Sequence, residues 1–436
     1  LHKEYRRQRQ MCIRDRPEKS SVCSVSPMQR RQLFRSLAGL SISTSTALLT
    51  GCRMSMKKEI KDFGKPFQYL QDDALRLRET GNATLTVSNA SFRDSEFHGQ
   101  TWRRLQFIDC DFDGGYRIRL EAMENVEFRN CRFSGVIEFG VMTNVRFHNC
   151  SSGGNSNWGG QAGSTNVVFE KCRFIGSSSD RNRQGAIGTY GEASFLNCVV
   201  KWFDISADAK LIARNCDFDD VSYHPEGAHV LIENCRLRNA FNMVPATLES
   251  FTLRDTVLDD LDFNGAALRG DLLIERVRGG SLSGWIDGGS RITVRDSQFS
   301  ASGQSHFSFG LGSADTAHAL IDNVRIQGGS KAAGLVFGTV GSKAEGVAPQ
   351  VNQTFTLRHS HIDHLDATYL RSAHVRFEGN EFGRLELQHS RIGTLELLGN
   401  TIVRTVDFTN VEADDAKVQP LGAGQARLEG SNIRLD

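Results

Sequence analysis

Residues 126–133 read Val126-Glu127-Phe128-Arg129-Asn130-Cys131-Arg132-Phe133. Val126 and Phe128 share one parity, and Cys131 and Phe133 share the other. In a strand successive side chains point to opposite faces, so an alternation that slips by one marks a corner between Asn130 and Cys131. Asparagine suits that corner because it tolerates the left-handed backbone conformation.

The same phrase recurs. The residue after the corner falls at Ala90, Cys110, Cys131, Cys150, Cys172, Cys198, Cys216, Cys235, Thr256, Val277, Ser297, Val324, Ser360, Asn380, Asn400 and Ser431. Most steps are about 20 residues, a period of solenoid type. Longer steps place insertions at 151–166, 176–192, 301–317 and 327–353. A unit of this length with short alternating strands is one coil of a stacked β-structure. Helical repeats would show 3.6-residue periodicity, and a propeller blade needs about 40 residues. Asparagines of successive coils are expected to hydrogen-bond along the axis.

The pattern resembles right-handed parallel β-helix proteins of the pectate-lyase type, whose second turn often carries such an asparagine ladder. The resemblance spans roughly residues 85–436. It implies an all-β, right-handed, single-stranded parallel β-helix of about 16 coils. Residues 53–84 supply a linker and an N-terminal cap. Within them Lys58–Phe63, Phe67–Leu70 and Ala74–Leu77 read as amphipathic and helical.

Seven of the ten cysteines occupy the post-corner slot on seven consecutive coils. In-register neighbours stand one coil apart, wider than the roughly 3.5–4.5 Å between Cβ atoms that a disulfide needs. Thr256, Val277 and Ser297 later fill the slot, which points to size as its requirement. The expectation is a ladder of reduced, buried thiols acting as small hydrophobes. Zinc is disfavoured, because a linear stack offers no tetrahedral set.

The first 52 residues differ from the rest. Met28 to Cys52 carries Arg30-Arg31, a mildly apolar stretch and Leu49-Thr50-Gly51-Cys52. This resembles a twin-arginine export signal ending in a bacterial lipobox, which implies lipidation at Cys52 and a place in the bacterial envelope. Export of an already folded chain would keep the seven thiols from an oxidising compartment. Residues 1–27, with Arg9-Gln10-Met11-Cys12-Ile13-Arg14-Asp15-Arg16, resemble translated sequencing-adapter sequence and read as a non-native extension. Ten of the 52 basic and three of the 51 acidic residues precede Cys52. The formal charge of +1 therefore conceals a remainder with 42 basic and 48 acidic residues, a net of −6. That balance argues against a dedicated nucleic-acid binder.

Chemistry is sought on the strand about six residues after the slot, where the resembled enzymes place their substrate groove. Asp204, Ser222, Asp262 and Ser283 each lie six residues past their slot and should form one outward row. Asn242 is the outward residue offered by the intervening coil, while Ser206, His224 and Asn264 should form a parallel row. Asp204, His224 and Asp262 are the candidate catalytic groups, since carboxylates and imidazole do acid–base work. Trp202, Asn242, Asn264 and Trp285 are the candidate substrate contacts. Asp204 and Asp262, three coils apart, exceed the separation of about 5–9.5 Å used by paired glycosidase carboxylates. The resemblance also breaks at the residues. No calcium-binding Asp cluster appears, and Tyr223-His224-Pro225-Glu226 does not match the Asp-Pro-His-Asp run of alginate epimerases. His359-Ser360-His361 reads as ladder substitution at the corner rather than as a metal site. The expected function is binding, and processing, of extracellular or envelope polysaccharide by a monomer without cofactor or metal. The alternative is a non-catalytic surface rod, adhesin or spacer.

Overall fold

The computed structural model describes residues 58–60 and 84–435, apart from 94–99, 154–156, 177–184, 190, 244–246, 264–265, 284, 289–290, 302–306, 311–317, 329–333, 339–352 and 423. The leader, Cys52 and the adapter-like segment lie outside the described residues.

The described residues build a parallel β-solenoid. Before the corner, one ladder runs in register through Val87, Phe107, Phe128, Phe147, Phe169 and Phe195. It continues through Ala213, Ile232, Leu253, Ile274 and Val294. It closes with Ile321, Leu357, Phe377, Leu397 and Val418. This is the upstream column. After the corner, Phe112, Phe133, Ser152, Phe174, Val200 and Phe218 align in the downstream column. A third, lateral column aligns Phe203, Val221, Phe241 and Leu261.

The corner is as the sequence predicts. Asn89, Asn130, Asn149, Asn197, Asn215, Asn234 and Asn323 all adopt φ between 50° and 55°. Asn149 Nδ2 donates to Asn130 Oδ1 at 2.8 Å, and Asn323 Nδ2 to Asp296 Oδ1 at 2.7 Å. A second corner, between lateral and upstream columns, carries its own ladder. Asn166 Nδ2 donates to Asn144 Oδ1 at 2.9 Å, and Asn144 Nδ2 to Asn125 Oδ1 at 3.2 Å. Its sequence signal is an asparagine five residues before the first corner.

Inside, like residues stack on like. Phe107, Phe128, Phe147 and Phe169 have successive ring centroids 5.1, 4.8 and 5.0 Å apart, with planes within 17°. All four are essentially fully buried. Each ring contributes roughly 1.5–3 kcal/mol of burial.

The slot is not chosen for size alone, which corrects the sequence expectation. Ser297 Oγ donates to the Arg295 carbonyl at 2.7 Å and accepts the Val277 N–H at 3.1 Å. Ser360 Oγ donates to the Arg358 carbonyl at 2.8 Å and accepts the Val324 N–H at 3.0 Å. Asn400 Oδ1 accepts the Asn380 N–H at 3.0 Å. Cys216 and Cys235 do the same with sulfur. Cys216 Sγ donates to the Arg214 carbonyl at 3.2 Å and accepts the Cys198 N–H at 3.4 Å. All seven are free and buried, and burial pushes the Cys172 thiol far above its ordinary pKa.

No helix occurs among the described residues. Lys58–Ile60, expected within a helical cap, is a strand in register with Ala90–Phe92. Backbone pairing with the first coil wins there over helical patterning, because an exposed strand edge offers unpaired amide groups. The other expected cap segments lie outside the described residues.

Two outcomes follow from the slot. Ser360→Ala leaves the Val324 N–H without its acceptor and should cost about 1–3 kcal/mol in denaturant unfolding, whereas Ser360→Cys should cost less. Alkylating reagent, mapped by mass spectrometry, should modify none of the seven slot thiols in the native protein. It should modify all seven after denaturation.

Candidate functional site

The lateral column brings the outward row together. Asp204 pairs in register with Ser222, Ser222 with Asn242, Asn242 with Asp262, and Asp262 with Ser283. Asp204, Ser222, Asn242 and Asp262 are half-buried between inward Phe203, Val221, Phe241 and Leu261. The pleat forces this, since each polar residue follows an apolar one. Ser206 pairs with His224 in the parallel row. Asn264 lies outside the described residues.

The catalytic candidates are only partly gathered. His224 lies one coil from Asp204 and two residues further along the strand. Asp262 lies three coils from Asp204, about 14 Å at strand spacing. The two carboxylates therefore cannot act on one bond together.

The tryptophans fall elsewhere. Trp202 occupies a corner between downstream and lateral columns, with φ of 53°. Asp220 and Asn239 take the same conformation, at 56° and 57°. Stacking at this corner is close: a Cβ added to Gly176 would meet the Trp202 carbonyl oxygen at 2.2 Å. The Lys201 ammonium sits 4.1 Å from the Trp202 ring centroid. One face of the indole is thus already covered by a cation, a contact of about 0.5–1 kcal/mol at an exposed site. Lys201 also pairs with Asp219 at 2.8 Å. Burial alone would raise the Asp219 carboxyl, but the bonds from Lys201 and Asn239 outweigh it and hold the pKa below its ordinary value. Trp285 opens the strand Trp285–Gly288 and pairs with Ser308, so it lies beyond the row that ends at Ser283.

Asp208 and Glu226 are two further groups at this site. They continue the outward parity of the row, as Asp204-Ser206-Asp208 on one coil and Ser222-His224-Glu226 on the next. The loops that hold them stack, with Ser206 beside His224 and Lys210 beside His229. Burial and the Glu226 charge together raise the Asp208 pKa. Beneath them Tyr223 is buried and donates from its hydroxyl to the Ala207 carbonyl at 3.0 Å. The grid thus holds a carboxyl that keeps its proton longer than usual, a second carboxylate and an imidazole. These groups can hydrogen-bond hydroxyls and exchange protons. The available signal was the i, i+2 continuation from Asp204 and from Ser222.

The histidines of 359–364 face carboxylates. His359 takes the corner conformation, φ 50°, and faces Asp322 at 3.2 Å. His361 faces Asp363 at 3.3 Å and Glu381 at 3.2 Å. Among the described residues no group of three or more His, Cys, Asp or Glu side chains is arranged to hold a metal.

No protein-family model matches the chain. No curated protein matches it either. A solved structure, the A-module of a mannuronan C-5 epimerase from Azotobacter vinelandii, is similar at 13% identity with a TM-score of 0.31. The likeness covers 85% of this chain and 96% of that one.

The raised Asp208 predicts a pH effect. Its folded-state pKa exceeds the unfolded value, so its contribution to stability is full below the ordinary carboxylate pKa and is lost as pH rises through the raised value. Asp208→Asn should therefore raise the Tm near neutral pH. The gain should vanish below the ordinary aspartate value of 3.8.

Proposed function

We propose that this protein binds an extended polysaccharide along the lateral column. The observation that carries the reading is the in-register row Asp204, Ser222, Asn242, Asp262 and Ser283. Short hydrogen-bonding side chains recur there once per coil. A polysaccharide presents hydroxyls at a comparable regular interval, so a long row of weak contacts sums without a deep pocket. A chain held on this row would pass over Ser206 and His224.

Processing of the bound polymer, if the protein performs it, falls to the grid on two adjacent coils. Asp208 serves as the acid, with Glu226 and His224 as the groups that exchange protons with it, and Asp204 diagonal to His224. Asp262 is then a binding group three coils away.

The test is affinity electrophoresis of the full chain against a polysaccharide panel, with ultraviolet detection of unsaturated product. Retention by at least one glycan is expected, and Asn242→Leu with Asp262→Leu should weaken it about tenfold. If no glycan retards the protein, the reading fails and the surface-spacer alternative stands. If product forms, Asp208→Asn should abolish it while leaving retention in place.

A further inference from the structure

Charges on this solenoid are mostly matched between neighbouring coils. Arg214 pairs with Glu233, Arg238 with Asp217, Arg276 with Asp255 and Arg358 with Asp322. One row departs from that rule. The first outward position after the slot, on the downstream column, holds Arg132, Arg173, Arg236, Arg278 and Arg325. Arg132 reaches Arg173 through Ser151, and Arg173 reaches Arg236 through Val199 and Asp217. Arg236 reaches Arg278 through Val257, and Arg278 reaches Arg325 through Gln298. All five are exposed, and the salt bridges of the described residues pair other arginines, although Arg132 lies in register beside Asp111. The acid interposed among them, Asp217, is already engaged by Arg238 through Nε at 2.8 Å. The guanidinium groups recur every two or three coils, about 10–14 Å apart.

At one end the row deepens into a cleft of about 540 Å³. Arg278, Gln298, Arg325 and His361 line it, together with His359 and Asp296 from the corner. Asp296 is occupied by Asn323, which donates to it. Gln327, with its side-chain oxygen turned to Arg325, accepts from Nη2 at 3.1 Å and steadies that guanidinium.

We propose that this row is a second binding surface, for a linear acidic polysaccharide, with the Arg278–Arg325 cleft as its strongest subsite. Guanidinium binds carboxylate or sulfate through two parallel hydrogen bonds, and unpaired exposed arginines are free to do so. The polymer is a polysaccharide and not a nucleic acid on two grounds. Single-stranded nucleic acid needs aromatic platforms for its bases, and Ser151, Val199, Asp217, Val257 and Gln298 supply none between the arginines. Duplex DNA carries a charge about every 1.7 Å, far denser than this row. The proposal rests on the polysaccharide reading for the nature of the polymer, and adds its charge and a separate surface.

The test measures binding of the full chain to polygalacturonate, dextran sulfate, uncharged dextran and single-stranded DNA, each over a salt series. Binding to polygalacturonate or dextran sulfate, but not dextran, is expected, and whichever of the two binds tighter names the acidic group. Arg278→Gln with Arg325→Gln should weaken that binding about tenfold or more and make it less salt-dependent. Arg269→Gln, whose partner is Glu249 on another column, should leave it unchanged. Equal binding of dextran and the acidic polymers, or an unaffected double variant, overturns this inference while the polysaccharide reading survives. Failure of all polysaccharides overturns both. Tighter, arginine-dependent binding of DNA overturns the assignment of the polymer.

Discussion

The solenoid depends on one backbone group per coil, the N–H of the residue just past the corner. The residue before it bonds to the next coil, as Asn215 N–H does to the Glu233 carbonyl at 3.1 Å. The residue after it bonds to the previous coil, as Asp217 N–H does to the Cys198 carbonyl at 2.9 Å. Between them the chain reverses its hydrogen-bonding direction, and the N–H of Cys216 points inward with no carbonyl to meet. The next slot side chain receives it, here Cys235 Sγ at 3.4 Å. A buried, unpaired amide would cost about 1–3 kcal/mol at each coil. The slot therefore takes Cys, Ser, Thr or Asn on most coils, and Ala90, Val277 and Val324 are departures rather than evidence that only size matters.

This constraint also explains what was legible in the sequence. The parity slip at Asn130 and Cys131, the left-handed corner and the parallel register all follow from local pattern, because each coil contacts mainly its neighbours. The asparagine ladder and the burial of the seven cysteines follow as well. The chemistry of the slot was less visible. A thiol reads as a small hydrophobe until the carbonyl two residues back and the amide one coil away are placed against it. The strand at Lys58–Ile60 was hidden for a different reason. Its partner is Ala90–Phe92, and pairing across that distance leaves no periodic trace in three residues.

The candidate site was half legible. Counting six residues from each slot placed Asp204, Ser222 and Asp262 in one row, because a strand keeps parity once its corner is known, and a register shift brings Asn242, seven residues past Cys235, into it. Trp202 escaped that count, since a left-handed kink at its own position interrupts the pairing within the strand Val199–Ser206, and Lys201 lies over its ring. The outward parity of Asp208 and Glu226 was legible as an i, i+2 continuation, but their meeting depends on the stacking of two loops, which no strand period encodes.

The arginine row shows how repetition limits what a solenoid can display. Identical charges on successive coils would face one another at about 5 Å, where like charges repel. Most rows meet this by alternating sign, as Asp255 with Arg276 and Glu233 with Arg214 do. The row from Arg132 to Arg325 meets it chiefly by spacing, with Ser151, Val199, Val257 and Gln298 between its cations, although Asp111 flanks Arg132 and Asp217 flanks Arg236. At two coils the separation reaches about the Debye length at physiological salt, so the repulsion is largely screened. Pairing would neutralise the surface, whereas spacing keeps its charge at little cost in stability. A fold whose charges were arranged only for its own stability would have no use for the second solution.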